Sequence, residues 1–371
     1  MRRQIRPRQN KGASHVGERF EVEVGPVAHG GFWIARHEGR VVFVRHALAG
    51  ERVTVEVTEG SDGDKFWRAD AVEILEAVPE RVQAPCEYAR PGGCGGCDFQ
   101  HVSLPAQRDL KAQVIAEQFR RLAKLEVDVA VAPVPGDHDG LRWRTRQTYV
   151  GPGKGMRKHR SHDVIQVEDC LIARPDARGS GEGTVVETVQ ADGIERTFQV
   201  AADGFWQVHP GAPRALVEAV LAALQPALGE TMLDLYSGVG LFSSFLAERG
   251  ASVTAVEGDH QASEYAAGNV LKARAVASDV ATWLSLNPGE SDLVVLDPPR
   301  AGAGRKVVTA VVDRGPRAIA YVACDPAALA RDVATFGELG YRMVDIKAFD
   351  LFPMTHHVEC VALLVPERIV A

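Results

Sequence analysis

The stretch Met232-Leu-Asp234-Leu-Tyr236-Ser-Gly238-Val-Gly240-Leu-Phe242 combines an apolar strand, a glycine turn and the start of a helix. Glycine lets a backbone approach a ligand closely, and such a turn after a strand is typical of nucleotide-binding α/β sheets. Seventeen residues beyond Gly240, the next apolar strand ends in Glu257, an acid suited to ribose hydroxyls. The pattern predicts a Rossmann-like sheet that binds a nucleotide.

Two side chains distinguish between the nucleotides that such a turn could bind. Ser243 occupies the place of the third glycine of dinucleotide-binding turns, and Asp234 precedes the loop. A carboxylate there would repel a pyrophosphate but would attract the ammonium group of S-adenosylmethionine. We therefore expect S-adenosylmethionine as the cofactor.

Strands and helices alternate from about Pro210 onward, which indicates a parallel sheet covered on both faces. Ligands of such sheets bind at the carboxyl ends of the strands. The predicted strands are Thr231 to Leu235, Ser252 to Val256, Leu293 to Leu296 and Ala318 to Ala323, and the predicted helices are 215–228 and 241–249.

Two segments with candidate functional residues follow strands of this predicted sheet. After Leu296 comes Asp297-Pro-Pro-Arg-Ala-Gly-Ala-Gly304, in which the prolines stop the strand and stiffen a loop. After Ala323 comes Cys324, followed by Asp325 and Pro326, a favoured N-cap and first helical residue. A thiol at a helix N-terminus is expected to favour its nucleophilic thiolate form. The alternative is a small buried core residue.

Near the C terminus, Phe352-Pro-Met-Thr-His-His-Val-Glu359 leads into the apolar segment Val361 to Val365. Burial of Glu359 at this transition would raise its pKa and make it a proton acceptor. The alternative is a surface glutamate beside an edge strand.

The N-terminal half predicts two further structures. Alternating segments between about Arg19 and Leu75 indicate a small five-stranded antiparallel barrel of oligonucleotide-binding type, and Ser103 can cap a helix that runs to about Leu125. Three of the six cysteines, Cys86, Cys94 and Cys97, fall within twelve residues, and in a chain without an evident export signal this favours metal ligation over disulfides, with zinc and an iron–sulfur cluster both open.

Charge indicates the class of partner. A formal net charge of −7 argues against a protein that coats nucleic acid indiscriminately. Residues 141–160 nevertheless contain basic side chains, aromatic rings and glycines without any acid, which suits phosphate contact and base stacking in RNA. The candidate RNA contacts are Arg142, Arg144, Arg146, Arg157, Lys158 and Arg160. We expect a cytoplasmic monomer without a membrane segment.

These motifs, taken in order, resemble the RNA uracil-5 methyltransferases. The resemblance spans essentially the whole chain and implies a TRAM domain, a central β-rich domain with a [4Fe-4S] cluster, and a class I methyltransferase domain. It is carried by Asp-Leu-Tyr-Ser-Gly-Val-Gly240, Asp297-Pro-Pro-Arg-Ala-Gly, Cys324-Asp-Pro-Ala-Ala-Leu-Ala-Arg-Asp332 and Phe352-Pro-Met-Thr-His-His-Val-Glu359.

The resemblance also implies residue roles. Cys324 would add to carbon 6 of a uracil, and Glu359 would remove the carbon 5 proton. Cys86, Cys94, Cys97 and Cys170 would hold the cluster. The implied cofactor-binding residues are Gln207, Tyr236, Gly238, Gly240, Glu257, Asp279 and Asp297, with Asp279 toward the adenine.

We expect a basic tail over residues 1–17, the barrel over 18–77, the cysteine-containing domain over 78–205 and the methyltransferase domain over 206–371. The expected substrate is 23S ribosomal RNA, with transfer RNA as the alternative. Two other functions compete: an inert iron–sulfur protein that binds RNA, and a methyltransferase acting on an amino group. Cys324 and Glu359 weigh against the first, and Arg300 after Pro299 weighs against the second.

Overall fold

The computed structural model describes residues 12–179 and 181–367, so most of the expected basic tail lies outside the described residues. Contacts divide the chain into two compact units. The first comprises the chain up to Leu110 together with Val150–Cys170 and Met354–His356. The second comprises Lys111–Tyr149, Leu171–Pro353 and the chain from His357 onward. The four predicted domain boundaries remain predictions.

The N-terminal part forms a six-stranded sheet with the order β1-β5-β6-β4-β3-β2. Alternation places Trp33, Val42 and Val53 on its fully buried face, as the strand pattern predicts. The pairing of β4 with β6 is parallel, so the expectation of a purely antiparallel barrel is wrong at this pair. The strands are β1 (Arg19–Glu23), β2 (Val27–Ala28), β3 (Phe32–His37), β4 (Arg40–Arg45), β5 (Arg52–Glu59) and β6 (Phe66–Glu76).

The middle of the chain contains one long helix and several short strands. Helix α1 (Leu104–Gln118) continues into a π-helical turn (Phe119–Ala123), within the predicted span 103–125. The strands pair as β9 with β10, β8 with β11 and β12 with β13. They are β7 (Val131–Ala132), β8 (Arg144–Arg146), β9 (Gly155–Arg157), β10 (Val164–Gln166), β11 (Ala173–Arg178), β12 (Thr184–Ala191) and β13 (Ile194–Ala201).

The C-terminal part completes an eight-stranded sheet, with the order β16-β15-β14-β17-β18-β20-β19-β7. Its strands are β14 (Thr231–Leu235), β15 (Ser252–Glu257), β16 (Arg274–Ala277), β17 (Leu293–Leu296), β18 (Ala318–Ala323), β19 (Tyr341–Phe349) and β20 (Glu359–Pro366). Its helices are α2 (Ala212–Leu224), α3 (Leu241–Glu248), α4 (His260–Asn269), α5 (Val280–Leu286), α6 (Gly304–Val312) and α7 (Pro326–Glu338).

Both faces of this sheet are covered, because alternate residues of β17 belong to two different apolar cores. The expectation of a wholly parallel sheet is wrong at one edge, where β20 runs antiparallel to both β18 and β19. Strand order reverses at β14, which has β15 on one side and β17 on the other. Such a switch point opens a crevice at the carboxyl ends of the strands. No helix among the described residues has the length and apolar character needed to cross a membrane.

Candidate active site

The glycine turn after β14 has the tight geometry that its sequence predicts. Gly238 and Gly240 have φ angles of 54° and 90°, in the left-handed region that favours glycine. A Cβ atom on Gly240 would lie 2.7 Å from Cγ2 of Val270, so the turn has no room for a side chain there. Tyr236 also adopts a positive φ of 64°, which is uncommon for a bulky residue. Residues with such strained backbone conformations occur most often at binding and active sites.

Asp234 lies fully buried in β14 below this turn. Its Oδ2 atom accepts hydrogen bonds from the Ser243 backbone N (2.9 Å) and the Ser243 hydroxyl (2.6 Å), which explains why serine replaces a third glycine. Its Oδ1 atom is buried and has no hydrogen-bond partner among the described residues, and Ser237 Oγ shares that property. Burial raises the pKa of Asp234 to about 6. A buried carboxyl with an unused oxygen suits a cationic ligand.

Glu257 ends β15 and stabilises the turn from the neighbouring strand. Its Oε2 atom accepts from the Gly238 backbone N (2.8 Å), and its Oε1 atom accepts from the Asp259 backbone N (2.8 Å). Each carboxylate oxygen has a further lone pair, so these bonds leave capacity for ribose hydroxyls. The predicted role of Glu257 is therefore compatible with its structural role.

Tyr236, Asp279 and Gln207 belong to the same unit. Burial, followed by the charge of Asp279, raises the pKa of Tyr236 to about 12, so these two side chains lie within electrostatic range of each other. Asp279 caps α5, because its Oδ1 accepts from the Thr282 backbone N and hydroxyl, both at 2.8 Å. Gln207 is half-buried between β13 and α2. Their contacts with a cofactor remain predictions.

Asp297 immediately follows β17 and joins the same group of acids. Burial raises the pKa of Asp297 to about 7, with further contributions from the charges of Asp234 and Glu257. Three carboxyl groups from three adjacent strands therefore concentrate negative potential at the switch point of the sheet. This arrangement favours a positively charged ligand.

Cys324 follows β18 at the same edge, and the predicted helix start is present. Asp325 caps α7 by accepting from the Ala328 backbone N (2.8 Å), and Pro326 is the first helical residue. The expectation of a favoured thiolate is wrong for this structure, because the pKa of Cys324 is raised to about 11. Burial is the largest cause and the Glu359 carboxylate the second.

Glu359 begins β20 and is 4% exposed, so it is a buried rather than a surface glutamate. The antiparallel register pairs Ala323 of β18 with Cys360 of β20. Cys324 follows Ala323 and Glu359 precedes Cys360, so the two residues lie at neighbouring ends of these strands. Burial raises the pKa of Glu359 well above its ordinary value, and the charge of Asp297 adds to this effect. The structure thus brings together a thiol and a buried carboxyl group that are far apart in sequence.

Sequence reasoning assigned no role to Arg300. Its charge lowers the pKa of both Cys324 and Glu359, in opposition to burial. Its position after Asp297-Pro-Pro in a loop at the carboxyl edge was the signal that could have identified it. A guanidinium near a nucleophile and a base can stabilise negative charge during a reaction.

The four predicted metal ligands all belong to the first unit. The charge of Cys170 raises the pKa of Cys86, Cys94 and Cys97, although burial is the largest cause for each. Within the described part of the chain, no three His, Cys, Asp or Glu side chains are arranged to hold a metal ion. The loop still has features suited to a sulfur-bound group, because the Gly96 backbone N donates to Cys94 Sγ (3.4 Å).

The predicted RNA-contacting side chains separate into two sets. Three arginines of the second unit donate to backbone carbonyls: Arg142 to Ala173, Arg144 to Arg146, and Arg146 to Asp203 and Gly204. Arg157, Lys158 and Arg160 belong to the first unit, where β9 and β10 form a hairpin.

Comparisons with known proteins agree with this organisation. A family profile described as "TRAM domain" matches residues 13–72. A second profile, described as "tRNA (Uracil-5-)-methyltransferase", matches residues 282–367, which include the segments around Asp297, Cys324 and Glu359.

Relatives align along nearly the whole chain. An uncharacterized RNA methyltransferase of Streptomyces avermitilis is 45% identical, with 95% of this chain and 99% of that protein covered. The 23S rRNA (uracil(1939)-C(5))-methyltransferase RlmD of Pseudomonas putida is 31% identical, with 94% of each chain covered. The tRNA (uracil-54, C5)-methyltransferase of Pyrococcus abyssi, solved with S-adenosyl-L-homocysteine, shares the fold, with a TM-score of 0.69, 22% identity, and 93% and 99% of the chains covered.

Proposed function

The chain belongs to the RNA uracil-5 methyltransferases, and on that premise we propose that it methylates carbon 5 of a uridine in 23S ribosomal RNA through a covalent adduct with Cys324. The observation that carries the proposal is the placement of Cys324 beside Glu359 at the carboxyl edge that also holds the glycine turn. The enzyme is an S-adenosylmethionine-dependent RNA methyltransferase.

S-adenosylmethionine, when bound, supplies the methyl group. The residues suited to hold it are Asp234 and Asp297 toward the cationic end, Glu257 toward the ribose and Asp279 toward the adenine. The unpartnered Oδ1 of Asp234 supports this assignment, because a buried carboxyl oxygen without a partner is costly unless a ligand satisfies it. Tyr236 and Gln207 would complete the walls of the site.

Methylation of an uncharged uracil requires covalent activation, because its carbon 5 is a weak nucleophile. In the proposed mechanism the Cys324 thiol first gives its proton to solvent. The thiolate then forms a bond to carbon 6, and the electrons of the carbon 5–carbon 6 double bond move toward the carbonyl at carbon 4. Carbon 5 then takes the methyl group. Glu359 removes the carbon 5 proton, the double bond forms again and the thiolate leaves.

The raised pKa of Glu359 supports its role as base, because a carboxylate with a higher pKa holds an abstracted proton more firmly. The raised pKa of Cys324 implies that the free enzyme keeps its thiol protonated near neutral pH. The target uridine would have to leave any base stack to reach these groups.

We propose that the β9–β10 hairpin contacts RNA, rather than the three arginines that precede it in the sequence. Arg160 lies 3.8 Å from Glu59 and Lys158 lies 3.9 Å from Asp163. Surface pairs this long contribute little stability, so phosphates could replace them at small cost. Arg142, Arg144 and Arg146 already bind backbone carbonyls, and we propose that they support the fold around a bound RNA.

We propose that Cys86, Cys94, Cys97 and Cys170 hold a [4Fe-4S] cluster. Four thiols within electrostatic range of one another suit iron–sulfur ligation, and N–H groups that donate to Cys94 and Cys97 are typical of such sites. Protein purified without oxygen should be brown, with iron in the metal analysis. Colourless protein that contains zinc would contradict the cluster.

The choice of RNA is tested by mapping 5-methyluridine in cells with and without this protein. We expect one or more 5-methyluridines of 23S ribosomal RNA to disappear when the protein is absent, because relatives at 31% identity carry that activity in their names. Loss of 5-methyluridine only from transfer RNA would contradict the ribosomal target but would still support methylation of uracil carbon 5.

A further inference from the structure

The loop between β17 and α6 is held by one carboxylate. Asp332 Oδ2 accepts hydrogen bonds from the Ala303 backbone N (2.7 Å) and the Gly304 backbone N (3.2 Å). Asp332 Oδ1 also accepts from the Gly304 backbone N (3.2 Å). The C-terminal half of the loop 297–304 is therefore attached to helix α7.

The same carboxylate is tied to the strand that carries Cys324. The Tyr321 hydroxyl donates to Asp332 Oδ2 (2.6 Å) and accepts from the Ala303 backbone N (3.0 Å). Tyr321 has no exposed surface and Asp332 is 5% exposed. Strand β18, helix α7 and the loop thus share one buried hydrogen-bond network, and Cys324 lies between the strand and the helix.

Gly302 makes this close attachment feasible. Its φ is 87°, and a Cβ atom added there would lie 2.6 Å from Asp332 Oδ2. A side chain would therefore strain the backbone and displace the carboxylate at the same time. This glycine has a steric role that is separate from the cofactor turn.

Arg300 lies in the attached loop, and its side chain is available for a reaction. It is exposed, and it has no hydrogen-bond or ion-pair partner within the described ranges 12–179 and 181–367. It acts electrostatically on both Cys324 and Glu359. An arginine without a partner among these groups is free to meet charge that develops on a substrate.

We propose that Asp332 is a positioning residue for methyl transfer: its carboxylate fixes the loop 297–304 and so holds the Arg300 guanidinium beside Cys324 and Glu359. Arg300 there stabilises the thiolate and then the negative charge that moves toward the carbonyl oxygen of uracil as the sulfur–carbon 6 bond forms. The stabilisation of charge on uracil rests on the proposed function. The effect of Arg300 on the Cys324 thiol does not, because it can be measured without RNA.

The test measures the reactivity of Cys324 in the full-length protein. Iodoacetamide alkylation would be followed between pH 7 and pH 10 by mass spectrometry of the tryptic peptide 318–331, in which Cys324 is the sole cysteine. We expect Arg300→Gln and Asp332→Asn each to slow alkylation at pH 9 by about tenfold, the change produced when the pKa of a thiol rises by about one. Arg300→Lys should keep most of the wild-type rate.

Two further variants separate positioning from general damage. The double variant of Arg300→Gln with Asp332→Asn should react no more slowly than Arg300→Gln alone, because both changes act through the same guanidinium. Glu338→Gln is the matched control, because this exposed acid of α7 pairs with Arg305 and should leave the rate unchanged. Tyr321→Phe, which removes one donor to Asp332 and keeps the ring, should give a smaller slowing on a folded background.

Several outcomes would overturn the proposal. A wild-type rate in Arg300→Gln would show that the guanidinium does not act on the thiol. A slow Arg300→Gln beside an unaffected Asp332→Asn, or an unaffected Tyr321→Phe, would show that the network does not position it. Formation of 5-methyluridine is assayed separately, so its absence in the wild type would contradict the proposed function and leave the thiol result standing.

Discussion

At the scale of residues, the Cys324 thiol is shaped by neighbours that are distant in sequence. Its helix start is a local feature, which Asp325 and Pro326 encode directly. Its raised pKa comes from burial and from Glu359, thirty-five residues later. Local patterns therefore identify the position of the nucleophile, whereas its protonation depends on tertiary packing that they do not contain.

The acids at the switch point predict a pH-dependent affinity for the cofactor product S-adenosylhomocysteine, which carries the same ammonium group. The pKa values of Asp234 and Asp297 are raised to about 6 and about 7. A cation favours the ionised carboxylates, so affinity should increase as pH rises through these values and decrease as pH falls. We expect roughly tenfold tighter binding at pH 8 than at pH 6, measured by titration calorimetry.

Two variants check the assignment of this pH dependence. Asp234→Asn should bind more weakly and with a flatter pH profile, because one titrating acid is lost. Asp292→Asn should keep the wild-type profile, because Asp292 precedes β17 and accepts from the Thr231 backbone N (2.8 Å) at the opposite end of the strands. Affinity that is equal at pH 6 and pH 8, or stronger at pH 6, would contradict a cation-binding group of carboxyls.

At the scale of elements, the buried strands were predictable and their order was not. Strands 231–235, 293–296 and 318–323 match their predicted bounds, because continuous apolar runs are confined to strands covered on both faces. Strand β19 was missed because apolar and charged side chains are mixed along Tyr341–Phe349. Its pattern resembles a surface segment.

The position of β20 between β18 and β19 has the largest functional consequence among these elements. It brings Glu359 to the end of the strand next to Cys324. Nothing local in Glu359–Pro366 specifies that neighbour, since an apolar strand could pair at several places in a sheet. The thiol and the base were therefore predictable individually, and their pairing depended on the recognised resemblance.

At the scale of the whole molecule, the basic residues of the segment 141–160 are divided between the two units. The boundary between the two units falls between Tyr149 and Val150, which separates Arg142, Arg144 and Arg146 from the β9–β10 hairpin. A charge pattern records where cations occur along the chain. It does not record which of them bind backbone carbonyls, so sequence alone assigned all of them to RNA.

The two units also divide the predicted chemistry. All four candidate cluster cysteines belong to the first unit, whereas Cys324, Glu359 and the acids of the cofactor turn belong to the second. Cysteine spacing grouped only Cys86, Cys94 and Cys97, whereas the family resemblance added Cys170, which lies within electrostatic range of the other three. Spacing could not choose between zinc and iron, since four thiolates suit either.

In the proposed reaction, Cys324 forms a covalent bond with a uracil in ribosomal RNA. The most direct measurement incubates the enzyme and S-adenosylmethionine with a 23S ribosomal RNA fragment that contains 5-fluorouridine, followed by denaturing electrophoresis. Fluorine at carbon 5 cannot leave as a proton does, so Glu359 cannot complete the elimination and the adduct should persist. We predict a stable complex with the wild type and none with Cys324→Ser; a complex that still forms with Cys324→Ser would show that Cys324 is not the nucleophile.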